Sequence, residues 1–203
     1  MTTQIELYSD YICPWCYFFT GRLERLHNEF DLEFIWRSFP LHPETPEEGQ
    51  KLDIIYARYP YPIEDMKEHL CRNARALDLP YGDRTMTYNS RLAQELGLWA
   101  QDQQRGDAFH LAAFRAYFAS GKNLSDKTVL LELAQQAELD LGEAERVVEE
   151  RTYSDAVDRD WQRAEDLGIT AVPTLVIGED KLVGAQEYRS MANFARQHGI
   201  KKS

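Results

Sequence analysis

Two cysteines stand two residues apart in Cys13-Pro14-Trp15-Cys16. At that spacing two thiols can close a disulfide within one turn of chain, and they can pass it to or take it from another molecule. A zinc site would need a second ligand pair, and Cys71 is the one remaining cysteine. A core pair by chance would not be filled with a proline and a tryptophan. Exchange chemistry is therefore the reading these residues favour.

The flanks fit that reading. Ile5-Glu6-Leu7-Tyr8 alternates as a strand, and Tyr17 to about Phe30 has helical periodicity. Cys13 then falls at a helix N-terminus, where unpaired N–H groups and the helix dipole favour a thiolate. Pro14 suits the first helical turn, because its missing N–H is not needed there. Cys13 is accordingly the expected nucleophile. Cys16, one turn on and more buried, is the expected resolving thiol. Trp15 is expected to form an apolar lip for the partner, with Pro14 beside it.

A second strand is expected at Leu32–Phe39, giving a βαβ unit with parallel pairing. Pro40, Pro43 and Pro46 then break the chain. From about Lys51 the apolar period is helical, with caps expected at Asn89 or Ser90, Asp107, Ser125 and Asp140, the last with Glu143 as a capping box, and with Ser154 starting the last helix. Thr174–Gly178 and Lys181–Gly184 read as a hairpin, and Glu187–His198 as a closing amphipathic helix. Removing the helical block leaves a compact α/β unit. The expected division is 1–48 and 161–203 as its two halves, with 49–160 as an all-α insertion.

The 203 residues carry 43% hydrophobic side chains and a net charge of −11, enough for a core and adverse to nucleic acid or an anionic membrane as partner. The N-terminus lacks the basic and apolar regions of a signal peptide, and no apolar run reaches membrane length, so a cytoplasmic location is expected. In that compartment a cysteine pair is catalytic or metal-binding more often than a structural disulfide. His27, His42, His69, His110 and His198 show no ligand spacing, so no metal is expected. Cys71 adjoins the stripe Met66, Leu70, Ala74 and Leu77 and is expected to be buried and inert. Glu143, Glu145, Glu149 and Glu150 read as a solvated face. His42, in the proline-bearing loop, is a lesser candidate for the site.

Ala171-Val172-Pro173-Thr174 precedes the third strand. A proline there must start the strand or lie at an edge. On frequency alone its peptide would be trans, since cis is roughly 5–6% of X–Pro bonds.

A Cys-x-x-Cys between strand and helix, with Val-Pro-Thr before a hairpin, resembles the thioredoxin superfamily. The helical insertion resembles its DsbA branch. The strings Ser9-Asp10-Tyr11-Ile12-Cys13-Pro14-Trp15-Cys16-Tyr17 and Gly168-Ile169-Thr170-Ala171-Val172-Pro173, with Gly184-Ala185-Gln186, are similar to its cytosolic FrnE-like group. The resemblance implies a thioredoxin fold interrupted by an all-α insertion, and a dithiol–disulfide oxidoreductase or isomerase. It also implies a cis Val172–Pro173 peptide facing the cysteines, leaving the Val172 backbone free to pair with an extended substrate. It implies no bound cofactor, glutathione being a candidate redox partner, and thiol- or disulfide-bearing proteins or small molecules as substrates.

The chain departs from that branch in three places. Ala171 stands where glycine is more frequent. Leu7 occupies the position, six before Cys13, of a buried glutamate in the secreted enzymes, while Glu6 should face the other side of the strand. The residues between the thiols are Pro-Trp rather than Pro-His, and tryptophan cannot hold a thiolate by charge. The motif thus specifies exchange without specifying its direction. Two other readings stand beside it. Kappa-class glutathione transferases and 2-hydroxychromene-2-carboxylate isomerase share the layout but generally place serine at the first cysteine. A non-catalytic, chaperone-like binder could use the same groove.

Overall fold

The computed structural model describes residues 2–203. Strand β1 (Thr3–Ser9) leads through Cys13 into helix α1 (Pro14–Glu29), and β2 (Leu32–Ser38) returns beside β1 in parallel register, with Leu7 opposite Trp36 and Ser9 opposite Ser38. After a proline-bearing loop come β3 (Gln50–Lys51), α2 (Leu52–Tyr56), α3 (Ile63–Ala76), β4 (Met86–Thr87), α4 (Arg91–Asp102), α5 (Gly106–Ser120), α6 (Lys127–Gln136), α7 (Leu141–Glu150) and α8 (Ser154–Asp166). The chain then forms β5 (Thr174–Ile177), β6 (Asp180–Val183) and α9 (Tyr188–Gln197). The main sheet has the order β2-β1-β5-β6, with β5 antiparallel to both of its neighbours. This is the thioredoxin fold with a helical insertion between β2 and β5.

Alternation along β1 builds two cores. Ile5 and Leu7 face one side, where they join Phe19, Leu23 and Leu26 of α1, Leu175 of β5 and Met191 and Phe194 of α9. Tyr8 faces the other, with Tyr17 and Phe18, and there α4 to α7 supply Leu96, Phe114, Phe118, Leu130 and Val147. Tyr17 lies parallel to Phe118 at 5.0 Å, so α1, like β1, contributes to both cores. Truncating one such buried aromatic to alanine costs about 3–5 kcal/mol. Glu6 does turn away from Leu7, pairing with Arg37 and Arg163.

Several local expectations are corrected. Arg105 holds the N-cap position of α5, and Asp107 lies inside its first turn. Asp126, not Ser125, caps α6 by accepting from Thr128 N; Ser125 instead hydrogen-bonds Glu47 and Asn123. Asp140 accepts from Glu143 N as expected, but the Glu143 carboxylate pairs with Arg146. The β3–β4 ribbon inside the helical block gave no periodic signal, having two residues in each strand. The junction drawn at 160/161 lies within α8, whose Asp160 hydrogen-bonds Ser38 and Arg37 of β2. Cys71 is half-buried rather than buried.

Candidate active site

The thiol pair is set by the way β1 stops. Asp10, just past the strand, is 2% exposed, and its Oδ1 accepts from Ile12 N at 3.2 Å. Its Oδ2 accepts from Leu41 N, in the loop after β2, at 3.0 Å. Its carbonyl accepts from Cys13 N at 3.0 Å. One residue thus bends the chain, pins the neighbouring loop and delivers Cys13 to the N-cap of α1, with Pro14 as the first helical residue. No side chain caps this helix, so its first-turn N–H groups are left for the Cys13 sulfur. Burial raises the Asp10 carboxyl above its ordinary range, against the Ser90 hydroxyl, the Leu41 and Ile12 N–H groups and nearby His42.

Both cysteines are free thiols, and both are buried. Cys13 is 3% and Cys16 2% exposed, so the expected difference in burial is absent in the reduced protein. The Cys13 sulfur donates to the Val172 carbonyl at 3.6 Å. Burial, and then Cys13, push the Cys16 thiol well above its ordinary value; the Ser9 hydroxyl and the Asp10 backbone N–H act in the opposite direction. The two thiols therefore sit in unequal settings. One stands at the helix N-terminus against a peptide carbonyl, and burial raises the pKa of the other.

The segment before β5 forms the facing wall. The Val172–Pro173 peptide is cis. Thr174 Oγ1 donates to Ala171 O at 2.7 Å, and Gly184 N donates to Pro173 O at 2.8 Å, tying the loop to the end of β6. Trp15 is 40% exposed, edge-on to Phe18 and tilted against His69 of α3, each at 5.8 Å. The helical block therefore reaches the rim of the thiol pair through His69. Among the described residues no group of acidic, histidine and cysteine side chains could hold a metal ion, and no helix is long and apolar enough to cross a membrane.

The structure also brings in residues that the sequence reading left without a role. Tyr11, between Asp10 and the thiols, hydrogen-bonds His110 of α5 at 2.6 Å, and His110 stacks on Trp36 at 4.1 Å. Burial holds His110 down to about 3, so it is a neutral ring. The position of the missing carboxylate is filled by an apolar pair, Leu7 against Trp36. Asp10 carried a usable signal, an Asp directly after a strand and before a turn. His110 carried none, because its partners are distant in sequence. His42 lies near Asp10, which shapes the turn before the thiols, and within 3.8 Å of Glu44.

Residues 4–195 match the DSBA-like thioredoxin domain. The uncharacterised protein YwbO of Bacillus subtilis is 29% identical over 188 residues, covering 91% of this chain and 92% of that one. The crystal structure of a probable DsbA oxidoreductase from Streptomyces coelicolor superposes with a TM-score of 0.87 at 29% identity, covering 97% of this chain and 90% of that one. A 2-hydroxychromene-2-carboxylate isomerase shares the fold, with a TM-score of 0.76 at 18% identity over 97% of this chain and 98% of that one.

Proposed function

The chain belongs to the DSBA-like thioredoxin domain family, and from that membership together with its thiol pair we propose that it is a dithiol–disulfide oxidoreductase working through Cys13 and Cys16. The observation that carries the reading is the unequal setting of two adjacent thiols. Cys13 stands at an uncapped helix N-terminus against the Val172 carbonyl, while burial holds the Cys16 proton. The first is placed to attack a disulfide, and the second to release the mixed disulfide that results.

In this reading Cys13 attacks one sulfur of the substrate, and that sulfur's partner leaves as a thiolate. Cys16 then loses its proton and attacks the Cys13 sulfur. The Cys13–Cys16 disulfide forms, and the second substrate sulfur departs with two electrons. Run backwards, the same steps oxidise a substrate dithiol. Val172 and Pro173 offer backbone to an extended substrate, and Pro14 and Trp15 form the opposite lip. Glutathione is a reductant of suitable size for returning the pair to the thiol state. The isomerase and transferase alternatives share the fold, but retention of both cysteines favours exchange.

The test is insulin reduction with dithiothreitol or glutathione as electron source. The wild type should accelerate it and Cys13→Ser should abolish the acceleration. Equal rates for the two would remove Cys13 as nucleophile. Glutathione conjugation without insulin reduction would favour the transferase reading, and suppressed aggregation of a cysteine-free client would favour a binder.

A further inference from the structure

Helix α5 packs on α4 and α1, but one side of it faces open space. Ala108, Ala112, Ala116 and Ala119 recur there at helical spacing and line a cavity of about 400 Å3, closed by Pro80 and by Gln136 of α6. That volume falls within the roughly 300–1,000 Å3 typical of small-molecule sites. The Pro80 wall is fixed in advance. Tyr17 Oη donates to Pro80 O at 2.9 Å, and Gly82 N donates to Phe118 O at 2.8 Å, so this segment is tied to both α1 and α5. A Cβ at position 82 would lie 2.3 Å from Ala119 O, and glycine is what lets the segment sit so close. A ligand would meet a formed wall and bear no cost for ordering it.

The charge at the cavity has one sign. Arg115, exposed on α5, lines it among the alanines. Lys122 lines it too, but Lys122 is bonded to Glu132, and Glu138, just past α6, is taken by Arg105. In a chain of net charge −11, Arg115 is left with no ion pair and no hydrogen bond among the described residues. One free guanidinium suits one carboxylate, whose two oxygens match its planar fork. The alanines beside it leave room for an apolar body. A dianion would find no second free cation here, and a cationic ligand would be repelled by Arg115.

We propose that this cavity is a binding site for a small amphipathic monocarboxylate, with the carboxylate on Arg115 and the apolar body along Ala112, Ala116 and Pro80. None of these residues belongs to the thiol groove, so the site stands apart from the oxidoreductase reading. Two kinds of body fit the chemistry, an aliphatic chain and an aromatic ring system.

Isothermal titration calorimetry on the full chain tests this with decanoate, kept below its micelle concentration, and with 2-naphthoate. At least one should bind the parent at one per chain, and the tighter of the two identifies the body. Acetate, the head without the body, should bind at least about tenfold more weakly. Arg115→Gln should weaken the tighter acid by about tenfold, as for loss of a hydrogen bond between charged groups. Ala112→Phe, which fills the cavity from a half-buried position, should weaken it by a similar factor, with circular dichroism showing that the helices are intact. Arg115→Gln, at an exposed position, decides the matter even where Ala112→Phe fails to fold. Cys13→Ser and Trp15→Ala should bind as the parent does. Failure of both acids to bind the folded parent overturns the proposal, as does equal affinity in parent and Arg115→Gln. Binding lost in Cys13→Ser or Trp15→Ala but kept in Arg115→Gln would put the ligand in the thiol groove and overturn it as well. Loss of insulin reduction by the parent would sink the oxidoreductase reading alone and leave these titrations to decide the cavity.

Discussion

Cys13 Sγ lies 3.6 Å from the carbonyl oxygen of Val172, a residue 159 positions away in the chain. A thiol can donate to that oxygen; a thiolate cannot, and would face it as like charge. Ionisation of Cys13 therefore frees the carbonyl for another donor. An extended peptide supplies one in its backbone N–H, next to the sulfur it presents.

That arrangement predicts which mixed disulfides persist. In Cys16→Ser the Cys13 attack proceeds and nothing resolves it, so covalent adducts with disulfide-bearing proteins should accumulate and disappear on adding dithiothreitol. Non-reducing gels with mass spectrometry of the Cys13 peptide would read this. Absence of adducts in Cys16→Ser, while the wild type remains active, would assign the resolving step elsewhere.

Trp15 predicts a split between substrates. It is 40% exposed and touches Phe18 and His69 edge-on or tilted. Trp15→Ala should cost only about 1 kcal/mol of stability, the scale of one or two aromatic contacts. It should raise KM for a protein disulfide severalfold and leave exchange with oxidised glutathione nearly unchanged. Parallel loss on both substrates would mean that Trp15 shapes the thiols rather than the partner's seat.

What was legible in the sequence and what was not divide along chain distance. The βαβ start, the hairpin and α1 follow from alternation and period within a few residues, and Cys13 and Cys16 are visible as a spacing. Gly121 stops α5 in the left-handed conformation, as a glycine at a helix end should. The rest of the site is made by contacts that no local pattern encodes. Tyr11 meets His110, Asp10 reaches Leu41, and Trp15 meets His69. The caps at Asp107 and Ser125 failed for a related reason. Several small polar residues near each helix start could serve, and tertiary packing chose the register.

Gly97 predicts how tightly α4 must approach the turn before the thiols. A Cβ there would lie 2.1 Å from Tyr11 Oη and 3.4 Å from His110 Cε1. Alanine would gain about 1 kcal/mol of helix propensity, but overpacking costs typically about 1–3 kcal/mol. Gly97→Ala should therefore be neutral to destabilising by about 2 kcal/mol in urea, and it should lower exchange activity because Tyr11 must move. A stabilised, fully active variant would show that the Tyr11–His110 contact is dispensable.

His110 predicts the acid limb of stability. Burial holds it down to about 3 from an ordinary 6.5. Above pH 6.5 the ring is neutral in both native and unfolded chains, so its full contribution is present there. As pH falls through 6.5 the unfolded chain takes up a proton that the native state refuses, and stability is lost progressively until about pH 3. A gap of that size amounts to about 4–5 kcal/mol across the window. Asp10 works with the opposite sign. Its carboxyl is raised in the native state, so its contribution is greatest below the unfolded carboxylate value and fades as pH rises through the native one. Comparing wild type with His110→Gln separates the two, because Asp10 is common to both. Urea midpoints at pH 7, 5 and 4 should fall more steeply for the wild type, with the variant weaker at pH 7 for want of the Tyr11 and Trp36 contacts. Parallel slopes would mean that His110 takes its proton in the folded protein, which a ring stacked on Trp36 and bonded to Tyr11 in a sealed core should not do.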